Sequence, residues 1–530
     1  MQPSLKRVLA NQIDRAANAV DQMPWCAGRL KSHLRLAFPD DQLIVASYRE
    51  PYSHVKTAGG VQLIQPASGL ITAMEPVMRA SGGTWVAHAS GNADNTVVDS
   101  AGVWMTPAEA GHYRLRRLWF SPQDQAAHLD GFANSGLWPL CHDAELEPDF
   151  TEDDWRGYVR VNQAYADDGV SEARSADPVA LVHDYQLALV PAMVRARLPQ
   201  ATLVAFWHIP WARPEQMARC PWLGELIDGW LGADVAGFQT RAHRDNFLAC
   251  ARQRGKRLTG TGSRRIAGKH HLTCVNDFPV SIAWPSPERA NPERCAALPS
   301  NATRMKLIVG IDRFDYSKGL LEKLRALEVL LTEEPAWIGR LHFVQVAAPT
   351  RSSLPGYKAF QANVKREVLR INQRFARGAW QPVTLRDVHH ERDEVNALYC
   401  AADVCWVGSL QDGMNLVCKE FIAQREDEHG VLLLSQFAGA SDELPEALIV
   451  NPHHTVQVAA TLNRALNLTA SEARWRMQSM RRTVQNNNAH RWAASLFSAA
   501  AKSREQCRNV ARGASLRTSP GVAADAAAWT

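Results

Sequence analysis

The chain has 530 residues, more than one hydrophobic core sustains, so two domains of roughly 200–250 residues are expected. An apolar share of 46% and a charged share of 21% are those of a globular protein, and 59 basic against 54 acidic residues give no case for nucleic acid or membrane surfaces. The ten cysteines lack any C-x-x-C pair, the N-terminus carries charges where a secretory signal would be apolar, and no apolar run reaches the ~18 residues of a membrane span, so a reducing cytoplasmic setting is expected.

Residues 1–40 read as a helical leader without chemistry. From Leu43 the pattern alternates: LIVAS (43–47) has strand character, GLITAMEPVMRA (69–80) has helical apolar spacing, and TWVAH (84–88) returns to strand. ALVHDYQ (180–186), TLVAFWH (202–208) and DVAGFQT (234–240) continue the series, with helical segments such as LALVPAMVRARLP between them. Apolar runs that end in polar or aromatic residues and alternate with helices predict a parallel sheet covered on both faces.

The Pro-containing stretch 284–305 is the linker candidate, and a second alternating series follows it. Its expected strands are KLIVGIDRF (306–314), RLHFVQVAAP (340–349), DVCWVGS (403–409) and GVLLLSQ (430–436). The fold expected is therefore α/β, with two doubly wound Rossmann-like domains in tandem. Ligands of such sheets bind beyond the carboxyl ends of the strands, which here places them in a cleft between domains. The last thirty residues, rich in Ala, Ser, Gly and Arg, read as a flexible tail.

Two segments carry the chemistry. In IDRFDYSKG (311–319) a strand ends in Arg313, and Lys318 follows five residues later. Two cations placed there meet the charge that develops on a departing diphosphate; alternatively, Asp315 between them pairs with one as a salt bridge. In SLQDGMNLVCKEF (409–421) a loop enters a helix at Gly413, and free first-turn amides form an anion site. Asp412 and Glu420 then take sugar and ribose hydroxyls, or Asp412 is the N-cap and Glu420 a solvated helix residue.

VHDYQL, FWHIPW, IDRFDYSKG, APTRSSLPGY, ALYCAADV, DGMNLVCKEF and LSQFAGASDEL occur in this order between Val182 and Leu444. The series resembles that of the trehalose-6-phosphate synthases and the related glucosylglycerol-phosphate synthases. The resemblance implies a GT-B arrangement of two facing domains. Residues 41–285 would bind the acceptor, 300–484 the nucleotide-sugar donor, 485–500 would form a helix crossing back, and 501–530 the tail. It implies that Arg313 and Lys318 hold the donor diphosphate and Glu420 the ribose. Asp412, with Gly413, Met414 and Asn415, would take the donor sugar, and Leu416 and Val417 would offer backbone contacts to phosphate. His208 would sit beside the transferred sugar and Asp184 would bind acceptor hydroxyls. Arg49 and Arg351 would grip the acceptor phosphate, as planar guanidinium forks suit. Trp138 would line the acceptor pocket, and Gly69 would belong to a glycine loop near the donor phosphate.

This chain departs from the family pattern at Ser68, Tyr48, Leu129, Gln411 and Ser281, where Gly, Asn, Tyr, Arg and Gly are usual. YREPY is closer to the glucosylglycerol-phosphate type, whereas Arg351 favours the trehalose type. The activity implied is retaining glucosyl transfer from UDP-glucose, or another nucleoside diphosphate glucose, to glucose 6-phosphate, giving α,α-trehalose 6-phosphate. Glycerol 3-phosphate as acceptor is the alternative within the class, and a catalytically silent sugar-phosphate sensor the alternative outside it. The sequence shows no carboxylate nucleophile pair of the kind retaining hydrolases use, so front-face attack is expected. No metal is structurally demanded, magnesium being at most an accelerator. Small-molecule substrates are the expected partners, and association of identical subunits is left open.

Overall fold

Strands that are buried on both faces need continuous apolar side chains, and the apolar runs of the sequence become such strands. The computed structural model describes residues 24–39, 42–65, 69–107, 112–144, 146–259, 264–268, 271–285 and 305–517, with side chains to residue 506. Most of the 284–305 linker candidate, the leader before residue 24, and Ser68 lie outside the described residues.

The first sheet has nine strands in the order Arg265–Ala267, Leu272–Asp277, Val235–Phe238, Thr202–Trp207, Val179–His183, Leu43–Arg49, Thr84–His88, Arg114–Leu118 and Val103–Met105. It is parallel except at its two edge strands, which run antiparallel. The second sheet has six parallel strands in the order Val383–Arg386, Leu341–Ala348, Lys306–Arg313, Val404–Val407, Val431–Ser435 and Leu448–Val450. Both sheets are wound in two directions from an inner strand, Leu43–Arg49 in the first and Lys306–Arg313 in the second. The crevices where winding reverses therefore open at the carboxyl ends of Leu43–Arg49 and Val179–His183, and of Lys306–Arg313 and Val404–Val407.

The leader contributes the helix Ala27–Ala37. The final helix, Ala489–Arg517, returns to the first sheet, starting with an Ala489 N–H bond to the Ile282 carbonyl at 2.8 Å. It buries Trp492, Leu496, Phe497 and Ala500 in a core that also contains Val45 and Phe206 of the first sheet and Val346 and Cys405 of the second. The helix runs on to Arg517, so residues 501–517 of the expected tail are helical, and the rest of that expectation lies outside the described residues. Spacing of i, i+4 and i+8 for Trp492, Leu496 and Ala500 keeps one apolar stripe on the sheet, and Ala favours continuation of the helix. Among the described residues no helix is long and apolar enough to cross a membrane.

Candidate active site

The two crevices face each other, and the residues singled out from sequence gather there. Arg49 ends the strand Leu43–Arg49, and Asp184 follows the adjacent strand Val179–His183. Arg313 ends Lys306–Arg313, and the short 3-10 turn Tyr316–Lys318 brings Lys318 back over the neighbouring strand end. Asp184, Arg351 and Asn415 all have positive φ, at 73°, 48° and 77°. These account for three of the five such non-glycine residues described, and strained backbone of this kind collects at functional sites.

On the donor side, Lys318 Nζ donates to Asp412 Oδ2 at 2.6 Å. The same oxygen accepts from Ser409 Oγ and from Asn415 Nδ2, each at 3.1 Å. Burial would raise the Asp412 carboxyl, but Lys318 and these hydrogen bonds hold it below its ordinary value. The N-cap of the helix Leu416–Gln424 is Asn415, whose Oδ1 accepts the Cys418 amide at 3.3 Å. Asp412 is thus the anchor for Lys318, not the cap. Leu416 and Val417 open the helix ahead of that capped amide, so their N–H groups are the first-turn donors left over. Glu420, half-buried, accepts from Tyr399 Oη at 3.4 Å. Gly413 lies where the two halves touch: a Cβ there would overlap the His208 carbonyl oxygen, and only glycine permits that approach. Met414 is buried beside it. Gly69 opens the helix Gly69–Ser81, and a methyl group built on it would touch Leu416 Cδ1 at 3.5 Å, so it faces the same helix start.

The acceptor side is organised by Asp315, a residue that sequence reading placed as a partner of Arg313 or Lys318. Its partner is instead Arg351, whose Nη1 lies 2.7 Å from Asp315 Oδ2 with side-chain exposures of 7% and 0%. Asp315 also accepts from Ser317 N–H and Oγ at 3.0 and 2.9 Å and from Trp138 Nε1 at 3.4 Å. Trp138 is delivered by the π-helix Ala126–Leu137, and its ring is sandwiched between His142 at 4.0 Å and the Arg351 guanidinium at 3.8 Å. Arg351 also donates to Tyr357 Oη at 2.7 Å. Tyr185, Tyr357 and His142, together with Asp315, are the site residues that sequence reading missed. The cluster joins separate segments, Asp315 to Arg351 and Tyr185 to Asn134 and Arg351, so no single motif shows these residues as a group.

Arg49 and Arg313 form no ion pair and donate no side-chain hydrogen bond to any described residue; Arg313 lies 5.5 Å over the Trp138 ring. Arg49 is open to water at the cleft, yet its enclosure, with Arg313 and Arg351 in electrostatic reach, lowers its guanidinium to about 10. Two cations that form no ion pair, beside a third, make a site that calls for an anion. Asp184 Oδ1 accepts the His208 N–H at 2.9 Å, and burial pushes its carboxyl up to about 6. Burial also pushes the His208 imidazole down to about 3, so the ring is neutral.

Three of the departures from the family pattern, Tyr48, Leu129 and Ser281, lie in or against the buried core. Tyr48 is buried, stacked on His128 at 4.8 Å, and Leu129 packs against the same cluster. Ser281 is fully buried, and its Oγ has no partner among the described residues. Such a hydroxyl costs roughly 1–3 kcal/mol. Ser281→Ala is therefore expected to raise the unfolding free energy by about 1 kcal/mol, read as a higher urea midpoint. A lower midpoint would mean that the hydroxyl has a partner after all.

Two facing, doubly wound parallel sheets with cations at both switch points define the class: a glycosyltransferase built from two Rossmann-like domains. The profile of glycosyltransferase family 20 matches residues 41–502. The chain belongs to this family. It is 35% identical over 477 residues to trehalose-6-phosphate synthase of Mycobacterium leprae, covering 87% of this chain and 95% of that one. The E. coli trehalose-6-phosphate synthase structure bound with UDP-2-fluoro glucose superimposes with a TM-score of 0.77 at 29% identity, over 87% of this chain and 99% of that one. An α,α-trehalose-phosphate synthase (UDP-forming) from Burkholderia xenovorans, in complex with glucose 6-phosphate, gives 0.76 at 29% identity, with the same coverage of 87% and 99%.

Proposed function

We propose that this enzyme transfers glucose from UDP-glucose to glucose 6-phosphate, with retention, to form α,α-trehalose 6-phosphate and UDP. The observation that carries this reading is the cluster of Arg49, Arg313 and Arg351 around one cleft, with only Arg351 neutralised by a carboxylate. The names and bound ligands of the relatives supply the substrate pair.

In this reading Arg313 and Lys318 meet the donor diphosphate, aided by the amides of Leu416 and Val417 at the positive end of their helix. Glu420 takes the ribose hydroxyls. Asp412, with the amides of Gly413, Met414 and Asn415, holds the donor sugar, and Gly69 approaches from the opposite half. Arg49 and Arg351 grip the acceptor phosphate, Trp138 stiffens Arg351 by stacking, and Asp184 orients an acceptor hydroxyl. The acceptor O–H attacks the anomeric carbon on the face from which UDP departs. As the new C–O bond forms, the old bond to the β-phosphate oxygen breaks, and that oxygen takes the proton. Arg313 and Lys318 stabilise the charge that develops on the leaving group, so the reading includes no resident metal.

Purified protein with UDP-glucose is expected to release UDP with glucose 6-phosphate and not without an acceptor, with mass analysis showing the disaccharide phosphate. Release only with glycerol 3-phosphate would move the enzyme to the glucosylglycerol branch, for which Tyr48 and Leu129 are the sequence argument. Silence with every donor and acceptor would turn the reading to a sugar-phosphate sensor.

A further inference from the structure

His208 is not alone behind the cleft. Its Nε2 lies 3.0 Å from Nδ1 of the fully buried His183, and its Nδ1 lies 3.4 Å from Nε2 of Gln239, which is 2% exposed. Facing imidazole nitrogens at hydrogen-bond distance need one N–H and one lone pair. The two neutral tautomers of His208 satisfy this in opposite senses, and the amide of Gln239 decides between them.

The other end of that amide settles its orientation. Gln239 Oε1 stands 3.0 Å from the Val280 N–H, a group that can only donate, so the atom facing it is the oxygen. The NH2 end therefore faces His208 and donates to Nδ1, which must carry a lone pair. A neutral His208 then has its proton on Nε2 and donates it to His183 Nδ1. His183 in turn keeps its proton on Nε2, a buried atom without a partner among the described residues. Val280 is itself fixed, since its carbonyl accepts from Lys419 Nζ at 2.8 Å, and Lys419 pairs with Glu443 at 2.5 Å. Lys419 belongs to the helix Leu416–Gln424, so the donor-side helix holds the segment that holds Gln239.

We infer that Gln239 is a positioning residue that locks His208 into the Nε2–H tautomer, with both ring nitrogens committed to protein partners. The inference rests on the function proposed above and on the placement of His208 beside the transferred sugar that the family resemblance implies, and it sharpens that reading. A ring with neither nitrogen free cannot serve as general base for the acceptor hydroxyl. The proton is left to the departing phosphate oxygen, and the ring's part is to hold its own carbonyl against Gly413 of the donor loop.

The test is a long-range 1H–15N correlation spectrum of protein labelled with 15N-histidine, at neutral pH. His208 and His183 are assigned by loss of signals in His208→Gln and His183→Gln. The wild type is expected to show, for both rings, an unprotonated Nδ1 and a protonated Nε2. Gln239→Glu offers a carboxylate that accepts from both Val280 N–H and His208 Nδ1, so both rings are expected to exchange their protonated nitrogens. With this change kcat is expected to fall about tenfold, the kinetic equivalent of one hydrogen bond. A wild-type His208 protonated on Nδ1 would overturn the inference even if the variant failed to fold. So would a Gln239→Glu enzyme with the wild-type spectrum and wild-type kcat. Absence of transfer by the wild type would instead sink the function proposed above, and the spectrum would still decide the tautomer.

Discussion

Lys318→Met is expected to lower kcat for UDP release by roughly 10²–10³-fold, the scale on which removal of one preorganised charge-stabilising donor acts. In the ligand-free cleft Lys318 is held by Asp412, with side-chain exposures of 11% and 14%, so the ammonium is already aimed before the donor arrives. Its stabilisation grows as negative charge passes to the leaving diphosphate, and the loss therefore falls on kcat more than on the KM for UDP-glucose. A raised KM with unchanged kcat would assign Lys318 to ground-state binding alone. The substitution also strands Asp412. In the wild type this carboxyl is held below its ordinary value, so its pairing contributes stability above the unfolded pKa of about 3.9, which is lost as pH falls through the folded value. Without Lys318 the desolvation that opposed the pair dominates and the carboxyl rises. The variant then has a stability deficit at neutral pH that acid relieves. Urea midpoints of the two proteins are expected to converge between pH 7 and about pH 4.

Much of this architecture was legible because parallel strands buried on both faces leave continuous apolar runs. KLIVGIDRF and GVLLLSQ contain the strands Lys306–Arg313 and Val431–Ser435, and their polar ends mark where the cleft lies. The strand Arg114–Leu118, RLRRL, was not legible. Arg117 within it is fully buried, because Glu50 and Asp94 from distant parts of the chain neutralise it. Charge of this kind reads locally as solvent-exposed. Asp315 shows the same limit at the site. Its nearest cations in sequence are Arg313 and Lys318, yet the pairing of parallel strands Lys306–Arg313 and Leu341–Ala348 brings Arg351 to it from the next loop. Motif order located the cleft, and tertiary pairing decided which charges within it are neutralised and which are left for substrate. Composition was a poor guide over residues 501–517 for a related reason: alanine is as much a helix former as a component of tails, and the apolar stripe on the preceding turns extends the helix.

Arg351→Leu separates the two tasks of that arginine. It leaves Asp315, whose side chain is 0% exposed, as a buried carboxylate without its ion-pair partner. Breaking such a pair from one side costs roughly 3–5 kcal/mol. Burial would raise the Asp315 carboxyl, but Arg351, then Arg313 and Lys318, hold it well below the usual carboxylate range in the wild type. That stabilisation is present above a pKa of about 3.9 and disappears only as pH falls below it, so wild-type stability is expected to drop as pH is lowered from about 4 to about 3. The Arg351→Leu enzyme, lacking the pair, is expected to lose less over the same range. In the double variant Arg351→Leu with Asp315→Asn, no buried charge is stranded, and asparagine can still accept from Ser317 and Trp138. Most of the lost stability is expected to return. Use of the sugar phosphate is not: with one of two phosphate-binding guanidiniums gone, the KM for glucose 6-phosphate is expected to stay raised by roughly 10²-fold, the worth of a bidentate charged contact. Recovery of both stability and KM in the double variant would reduce Arg351 to a scaffold for Asp315 and leave Arg49 as the guanidinium that binds the acceptor phosphate.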